Sequence, residues 1–274
     1  MRARGFTLVE LVVTIAIAAV VVSLMSMFVV GPVRAYEAQA RRGMLVDEAD
    51  GALQAIARDL RGALPNSIRV TNDSGRVALE FLASVDAARY RDGVLGDATE
   101  DLDLTQSDSA FATSTPFTRL TLPFDSTSHY LAVYNVGVPG ADAYELANVI
   151  TPTGTRIQIA AGASAGSNKV TLTPAARFTW GSPGKRVYLV SGPVTYLCDP
   201  AAGTLVRWSS YPVTSTPKST SGAFSTAGAN SGHISDHLAG CAVDYSPGTP
   251  ERAGLVTLTL RVQSDGEKVE LLHQ

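Results

Sequence analysis

The chain opens Met1-Arg2-Ala3-Arg4-Gly5-Phe6-Thr7-Leu8-Val9-Glu10 and then carries no formal charge from Leu11 to Val33. At about 1.5 Å per residue this uncharged run makes roughly 35 Å of helix, enough to cross the hydrocarbon core of a bilayer. A cleaved secretory signal has an apolar region of only about 7–15 residues, followed by a small-residue cleavage site, so this run is too long for one. A plain signal anchor matches the length but leaves the Gly5-Phe6 junction and Glu10 without a role. A carboxylate at the edge of a spanning helix costs about 3 kcal/mol on insertion scales, so it points to a functional partner. Flanking charge does not orient the span, because Arg2 and Arg4 are matched by Arg34, Arg41 and Arg42 on the far side.

Gly5-Phe6-Thr7-Leu8-Val9-Glu10-Leu11 followed by the apolar run resembles the type IV prepilin family, which includes the pseudopilins of type II secretion. The resemblance implies cleavage between Gly5 and Phe6 by a prepilin peptidase, N-methylation of the new terminal Phe6, and retention of the helix for polymerisation. Residues 1–5 are then a leader peptide, residues 6–33 the membrane and polymerisation helix, and Glu10 the assembly residue. In a filament, Glu10 of one subunit would neutralise the terminal amine of a neighbour inside an apolar bundle. Breaking such a pair costs more than forming it gains, so its use is to set axial register.

The apolar run continues into a second helical pattern over residues 34–65. Leu45, Ala49, Leu53, Ile56, Leu60 and Leu64 recur at spacings of three and four, with Asp47, Asp50, Gln54, Arg58 and Arg61 on the other side. This is an amphipathic helix made to pack on a domain, ending near Ala63 at Gly62 and Pro65. Gly31-Pro32 is expected to kink or locally melt the join, since Pro32 lacks an N–H.

From residue 66 the period changes to alternation. Strands are expected at Arg76–Leu82, Thr118–Leu122, Tyr130–Asn135, Arg156–Ala160, Lys169–Thr173, Arg186–Val190, Thr195–Cys198, Leu205–Ser209, Leu255–Val262 and Lys268–Leu272. Gly192-Pro193 and Ser264-Asp265-Gly266 read as turns, the latter closing a terminal hairpin. Residues 92–114, acidic and polar, and residues 212–237, rich in Ser, Thr, Gly and Ala, read as long surface loops. The fold expected is α+β: a long N-terminal helix, half membrane and half amphipathic, packed on a β-rich antiparallel head spanning residues 66–274. With 274 residues there is room for one such head. The net charge of −3 gives no electrostatic reason to expect nucleic-acid binding.

Cys198 and Cys241 fall in the part expected outside the cytoplasm, where a disulfide is the default for a pair of cysteines. Closing residues 199–240 into a loop gives roughly 4 kcal/mol in the chain-entropy treatment. The segments Val194-Thr195-Tyr196-Leu197-Cys198, Gly203-Thr204-Leu205-Val206-Arg207, Cys241-Ala242-Val243-Asp244-Tyr245 and Gly254-Leu255-Val256-Thr257-Leu258, with Arg58-Asp59-Leu60 and Ala63-Leu64-Pro65-Asn66-Ser67, are similar to J-type minor pseudopilins. They also resemble the related minor pilin of mannose-sensitive haemagglutinin pilus biogenesis. That likeness implies an inner-membrane, single-pass protein with a periplasmic head that later joins a filament tip and primes its assembly. The implied partners are the prepilin peptidase, other minor pilins or pseudopilins, the major pilin and the inner-membrane assembly platform. A tip adhesin or ligand-binding minor pilin is the alternative.

Other motifs are weaker. Gly162-Ala163-Ser164-Ala165-Gly166 has the form of a nucleophile elbow, but the alternating segment after it is a strand pattern where an elbow needs a helix, so no enzyme is expected. His233 and His237 have metal-binding spacing without the Glu of a zincin motif, and read as loop histidines. No cofactor is expected. Calcium is a weak alternative, because pilin-like domains sometimes bind it; the acidic group Asp97, Glu100, Asp101, Asp103 and Asp108 supplies carboxylates, chiefly Asp97, Asp101 and Asp103, without the spacing of an EF-hand. Phe178, Trp180, Tyr188, Tyr196, Trp208 and Tyr211 are expected to be mostly core, with Trp208 or Tyr211 as candidates for exposed recognition.

Overall fold

A computed structural model describes residues 5–93, 100–248 and 254–274. Helix α1 (Leu8–Arg61) runs for 54 residues, about 81 Å at helical rise. It continues through Gly31-Pro32 without the expected local melting. Pro32 lacks only its own N–H, so a single helical bond is lost while the bonds on either side persist. The helix ends at Arg61, where the Gly62 N–H closes a tight turn on the Asp59 carbonyl at 2.9 Å. Everything from Leu8 to Val33 is exposed, whereas Leu45, Ala49, Ala52, Leu53 and Ile56 are buried. The helix thus divides into a free apolar half and a half docked on the head.

The head holds thirteen strands among the described residues, in three antiparallel sheets. The largest orders β1 (Arg69–Asp73), β2 (Arg76–Arg89), β8 (Arg186–Asp199), β9 (Thr204–Ser209) and β10 (Asn230–Ser235), with β5 (Tyr130–Ala132) also on β8. The second orders β3 (Asp108–Ala112), β7 (Asn168–Ala176), β6 (Arg156–Ala161) and β4 (Phe124–Ser126). The third is the meander β11 (Leu238–Ser246), β12 (Leu255–Ser264) and β13 (Glu267–His273). This is an α+β fold.

Several elements differ from the sequence expectation. Gly192-Pro193 is not a turn: it lies inside β8, joining two segments that read as separate strands. The β2 edge of β8 pairs from Val77↔Cys198 to Arg89↔Arg186. The opposite edge pairs with β5 up to Val190 and with β9 from Val194, so Pro193 lies beside the gap where that partner changes. A proline is tolerated in a strand where ladder bonding is interrupted. Residues 118–122 form no strand. Side chains satisfy this stretch instead: the Arg119 N–H donates to Asp86 Oδ2 and the Phe117 N–H to Asn168 Oδ1. Residues 92–114 include β3, and residues 212–237 include both α2 (Ser221–Thr226) and β10, so neither is wholly loop. The Ser264-Asp265-Gly266 hairpin forms as expected, with Asp265 and Gly266 at φ +47° and +87°.

Alternation within β2 and β8 places residues in two cores. Val77, Leu79 and Phe81 join Val194, Tyr196, Cys198, Leu258 and Leu260 beneath Ala52, Leu53 and Ile56 of α1. On the opposite face, Ala78, Leu197, Val206, Trp208 and Tyr211 close around Phe224 of α2. A third core, with Phe111, Ile157, Ile159, Val170 and Leu172, lies between the second sheet and the ends of β5 and β8.

Candidate functional site

The N-terminal site is built on helix capping. Thr7 is extended (φ −83°, ψ 151°) and is the N-cap of α1; its Oγ1 accepts the Glu10 N–H at 3.3 Å. Thr7-Leu8-Val9-Glu10 therefore has the Thr-x-x-Glu spacing of a capping box, a signal present in the sequence that the family resemblance overshadowed. Glu10 sits in the first turn, where the helix dipole favours a carboxylate. Its side chain makes no hydrogen bond or ion pair among the described residues, which leaves it available to another chain. Gly5 and Phe6 precede the helix and are exposed. A Cβ added at Gly5 would meet nothing within 4 Å, so packing does not require glycine there.

The docked half of α1 is fixed to the head by two polar clamps. At its upper end, Asp59 Oδ2 accepts from Tyr196 Oη at 2.9 Å and from Arg207 Nε at 2.7 Å, tying the helix to β8 and β9. Burial and the Asp59 charge push the Tyr196 phenol well above its ordinary value. Nearer the membrane half, Glu48 Oε2 lies 2.9 Å from His237 Nδ1. Burial would raise the Glu48 carboxyl, but hydrogen bonds from Ser235 and His237, the His237 charge and the Asp236 N–H together hold it below its usual value.

Cys198 of β8 and Cys241 of β11 are disulfide-bonded, with Cα atoms 6.6 Å apart, joining the largest sheet to the third. Both sulfurs lie in the core under α1.

Of the other candidates, Ser164 and Asp101 line one cavity of about 330 Å³ beside Arg91 and Lys185, and the rest form no common site. Ser164 lies in the tight β6–β7 connection, where its carbonyl accepts from the Ser167 N–H and Oγ; a strand follows, not a helix. His233 belongs to β10, not to a loop, and faces Asp236 at 3.1 Å, while His237 turns to the helix. Asp97 lies outside the described residues. Asp101 accepts from the Gly93 N–H, and Asp103 from Thr105 and Gln106. Asp108 accepts from the N–H groups of Asp103 and Ala110, and Glu100 pairs with Arg91. Local donors thus occupy these carboxylates, and no group of three acidic, His or Cys side chains suited to a metal occurs among the described residues. Trp208 and Tyr211 are buried at 7% and 4% exposure, so neither is a recognition residue; of the six aromatics singled out, Trp180 is the exposed one, at 50%, and its indole N–H donates to the Gly140 carbonyl at 3.2 Å. A groove of about 940 Å³ opens nearby, lined by Leu64, Pro65, Tyr134, Pro183 and Tyr245 at the end of α1.

Residues 1–26 match the family model of the prokaryotic N-terminal methylation motif. An apolar helix long enough to cross a membrane follows directly after the cap, and together the two support a type IV pilin-like protein. No curated protein and no solved structure matches it.

Proposed function

We propose that this chain is a minor pilin or pseudopilin that helps to assemble a type IV or mannose-sensitive haemagglutinin-like pilus, or a type II secretion pseudopilus, from its tip. The observation that carries the reading is the coupling of an N-methylation motif and an unpaired Glu10 to a free apolar half-helix, with the rest of the same helix locked into a β-rich head. A prepilin peptidase cuts between Gly5 and Phe6. The mature helix stays in the inner membrane with the head in the periplasm until the assembly platform draws it into the filament. There Glu10 meets the terminal amine of an adjacent subunit, and the head meets other minor subunits and the major pilin. The role is structural and involves no catalytic step. The J-type character rests on the resemblance of the C-terminal segments and of Arg58-Asp59-Leu60 and Ala63-Leu64-Pro65-Asn66-Ser67.

Mass analysis of the mature protein should show a chain beginning at N-methylated Phe6. Glu10→Ala should still be cleaved and membrane-inserted yet enter filaments several-fold less well. Normal incorporation of that variant would overturn the register role. The half-exposed Trp180 supports a second reading, an adhesive tip. Intact filaments that lose surface binding on Trp180→Ala would favour it, whereas loss of filaments on deletion of the chain favours assembly.

A further inference from the structure

Arg34, Arg41 and Arg42 make no ion pair among the described residues, although they occur within nine positions of the helix directly after its apolar half. We propose that these three guanidinium groups form a collar that binds the phosphates of anionic phospholipids on the head side of the membrane. The proposal rests on the reading of residues 8–33 as a membrane span.

Position comes first. Arg34 follows Val33, the last residue of the uncharged run, and so falls in the headgroup layer. Arg41 is about 10.5 Å further along the helix than Arg34. Helical side chains lean toward the N-terminus, here toward the bilayer, and long basic side chains extend their charge to a polar interface. Both features carry the Arg41 and Arg42 guanidinium groups back toward the phosphates.

Facing comes second. Arg34, Arg41 and Leu45 share one side of the helix to within about 40°. Leu45 and Ala49 pack on Val262 and Val269, while Ala52, Leu53 and Ile56 pack further up on Leu258 and Leu260. The β12–β13 turn therefore lies at the membrane end of the head, over this side of the helix. Arg41 is half-buried, and its Nε is shielded from solvent without a hydrogen-bond partner among the described residues. Arg34 and Arg42 are exposed.

Charge comes third. Glu37 lies one turn before Arg41 but is not paired with it, and Asp265 and Glu267 at the hairpin pair with none of the three arginines among the described residues. Counting the hairpin that lies there, Arg34, Arg41, Arg42 and Lys268 stand against Glu37, Asp265 and Glu267, a net of one positive charge. An excess of positive charge just outside a span is attracted to anionic headgroups. Because the same excess on the far side weakens topological orientation, its presence there calls for a partner such as the lipid phosphate.

The test uses the purified full chain in neutral detergent, offered phosphatidylglycerol or phosphatidylcholine with matched acyl chains, with retained lipid counted by native mass spectrometry. Phosphatidylglycerol should be held in preference, by roughly five-fold for each guanidinium. The triple variant Arg34→Gln, Arg41→Gln, Arg42→Gln should lose the preference, and the triple lysine variant should keep most of it. The exposed pair Arg34→Gln, Arg42→Gln reports the same loss should the triple variant fold poorly. Equal retention of the two lipids, unchanged preference in the glutamine variants, or displacement of the lipid by equimolar glycerol phosphate overturns the proposal. Flotation with phosphatidylcholine liposomes tests the span separately. A chain that fails to float refutes the span and the collar with it; a chain that floats without lipid preference refutes the collar alone.

Discussion

Arg69 shows how one residue holds a surface together. Its Nη2 and Nε donate to the Glu80 carboxylate at 2.9 and 3.2 Å, its guanidinium also donates to the Thr214 and Ser215 carbonyls, and it lies 3.6 Å from the Tyr144 ring centroid. Glu80 is 2% exposed. Burial pushes its carboxyl up, and the Arg69 charge and hydrogen bonds only partly pull it back. Arg69→Ala would strand a buried carboxylate, so it should cost about 3 kcal/mol and lower the melting temperature by roughly 5–10 °C. Arg261→Ala, in an exposed pair with Glu270, should cost under about 0.5 kcal/mol. Thermal denaturation of the two variants decides the matter, and equal losses would refute it. The sign with pH follows from the raised carboxyl. Glu80 favours the fold most below its ordinary value of 4.5, and that contribution falls as pH rises through its raised folded value. The Arg69→Ala variant should therefore lose more stability than the unmodified chain as pH rises across that window.

The docking of α1 rests at the scale of elements on apolar contact, and the Glu48 clamp adds a contribution that depends on pH. Glu48 behaves oppositely to Glu80. Its lowered carboxyl stabilises the fold above its ordinary value of 4.5 and loses that contribution as pH falls through its lower folded value. Acidification should loosen residues 45–49 from the 235–237 turn. Amide exchange along α1 should show protection lost first around Ala49 in acid. Glu48→Gln should weaken this region at neutral pH and flatten its acid dependence; an unchanged acid response would rule out Glu48 as the cause. The apolar side of this helix was legible because Leu45, Ala49, Leu53 and Ile56 repeat at helical spacing and do meet the head. The methylation motif of residues 1–26 was legible as a linear pattern. The clamps were not, because Glu48 and His237, or Asp59 and Arg207, are brought together only by tertiary packing. Strand β10 was hidden because its exposed, polar edge position removes alternation, with only Ser235 buried. Helix α2 was hidden because a single buried residue, Phe224, holds it within a Ser, Gly and Thr segment.

The whole molecule is a free apolar half-helix joined to a head whose sheets have unequal dependence on the disulfide. Cys198–Cys241 links the largest sheet to the third, and both of these contact α1. The second sheet has its own core with Phe111, Ile157, Ile159, Val170 and Leu172, and no cysteine. Opening the disulfide frees a loop spanning 43 positions and should cost about 4 kcal/mol in the chain-entropy treatment. The loss should not be spread evenly. In the Cys198→Ser, Cys241→Ser variant, amide exchange should accelerate in β11–β13 and in residues 45–56 of α1, with little change in β6 and β7. Exchange rising equally in all three sheets would show that the head opens as one unit and that the disulfide is no local tie. The consequence for a filament follows from where the looser sheet lies. The third sheet is the one packed against Leu45 and Ala49, the first docked residues above the free half-helix. Force applied through polymerised helices would reach the head there first. The disulfide secures the sheet that would receive that force to the sheet that anchors Asp59, and the variant should detach its head from α1 at lower denaturant concentration than it unfolds the second sheet.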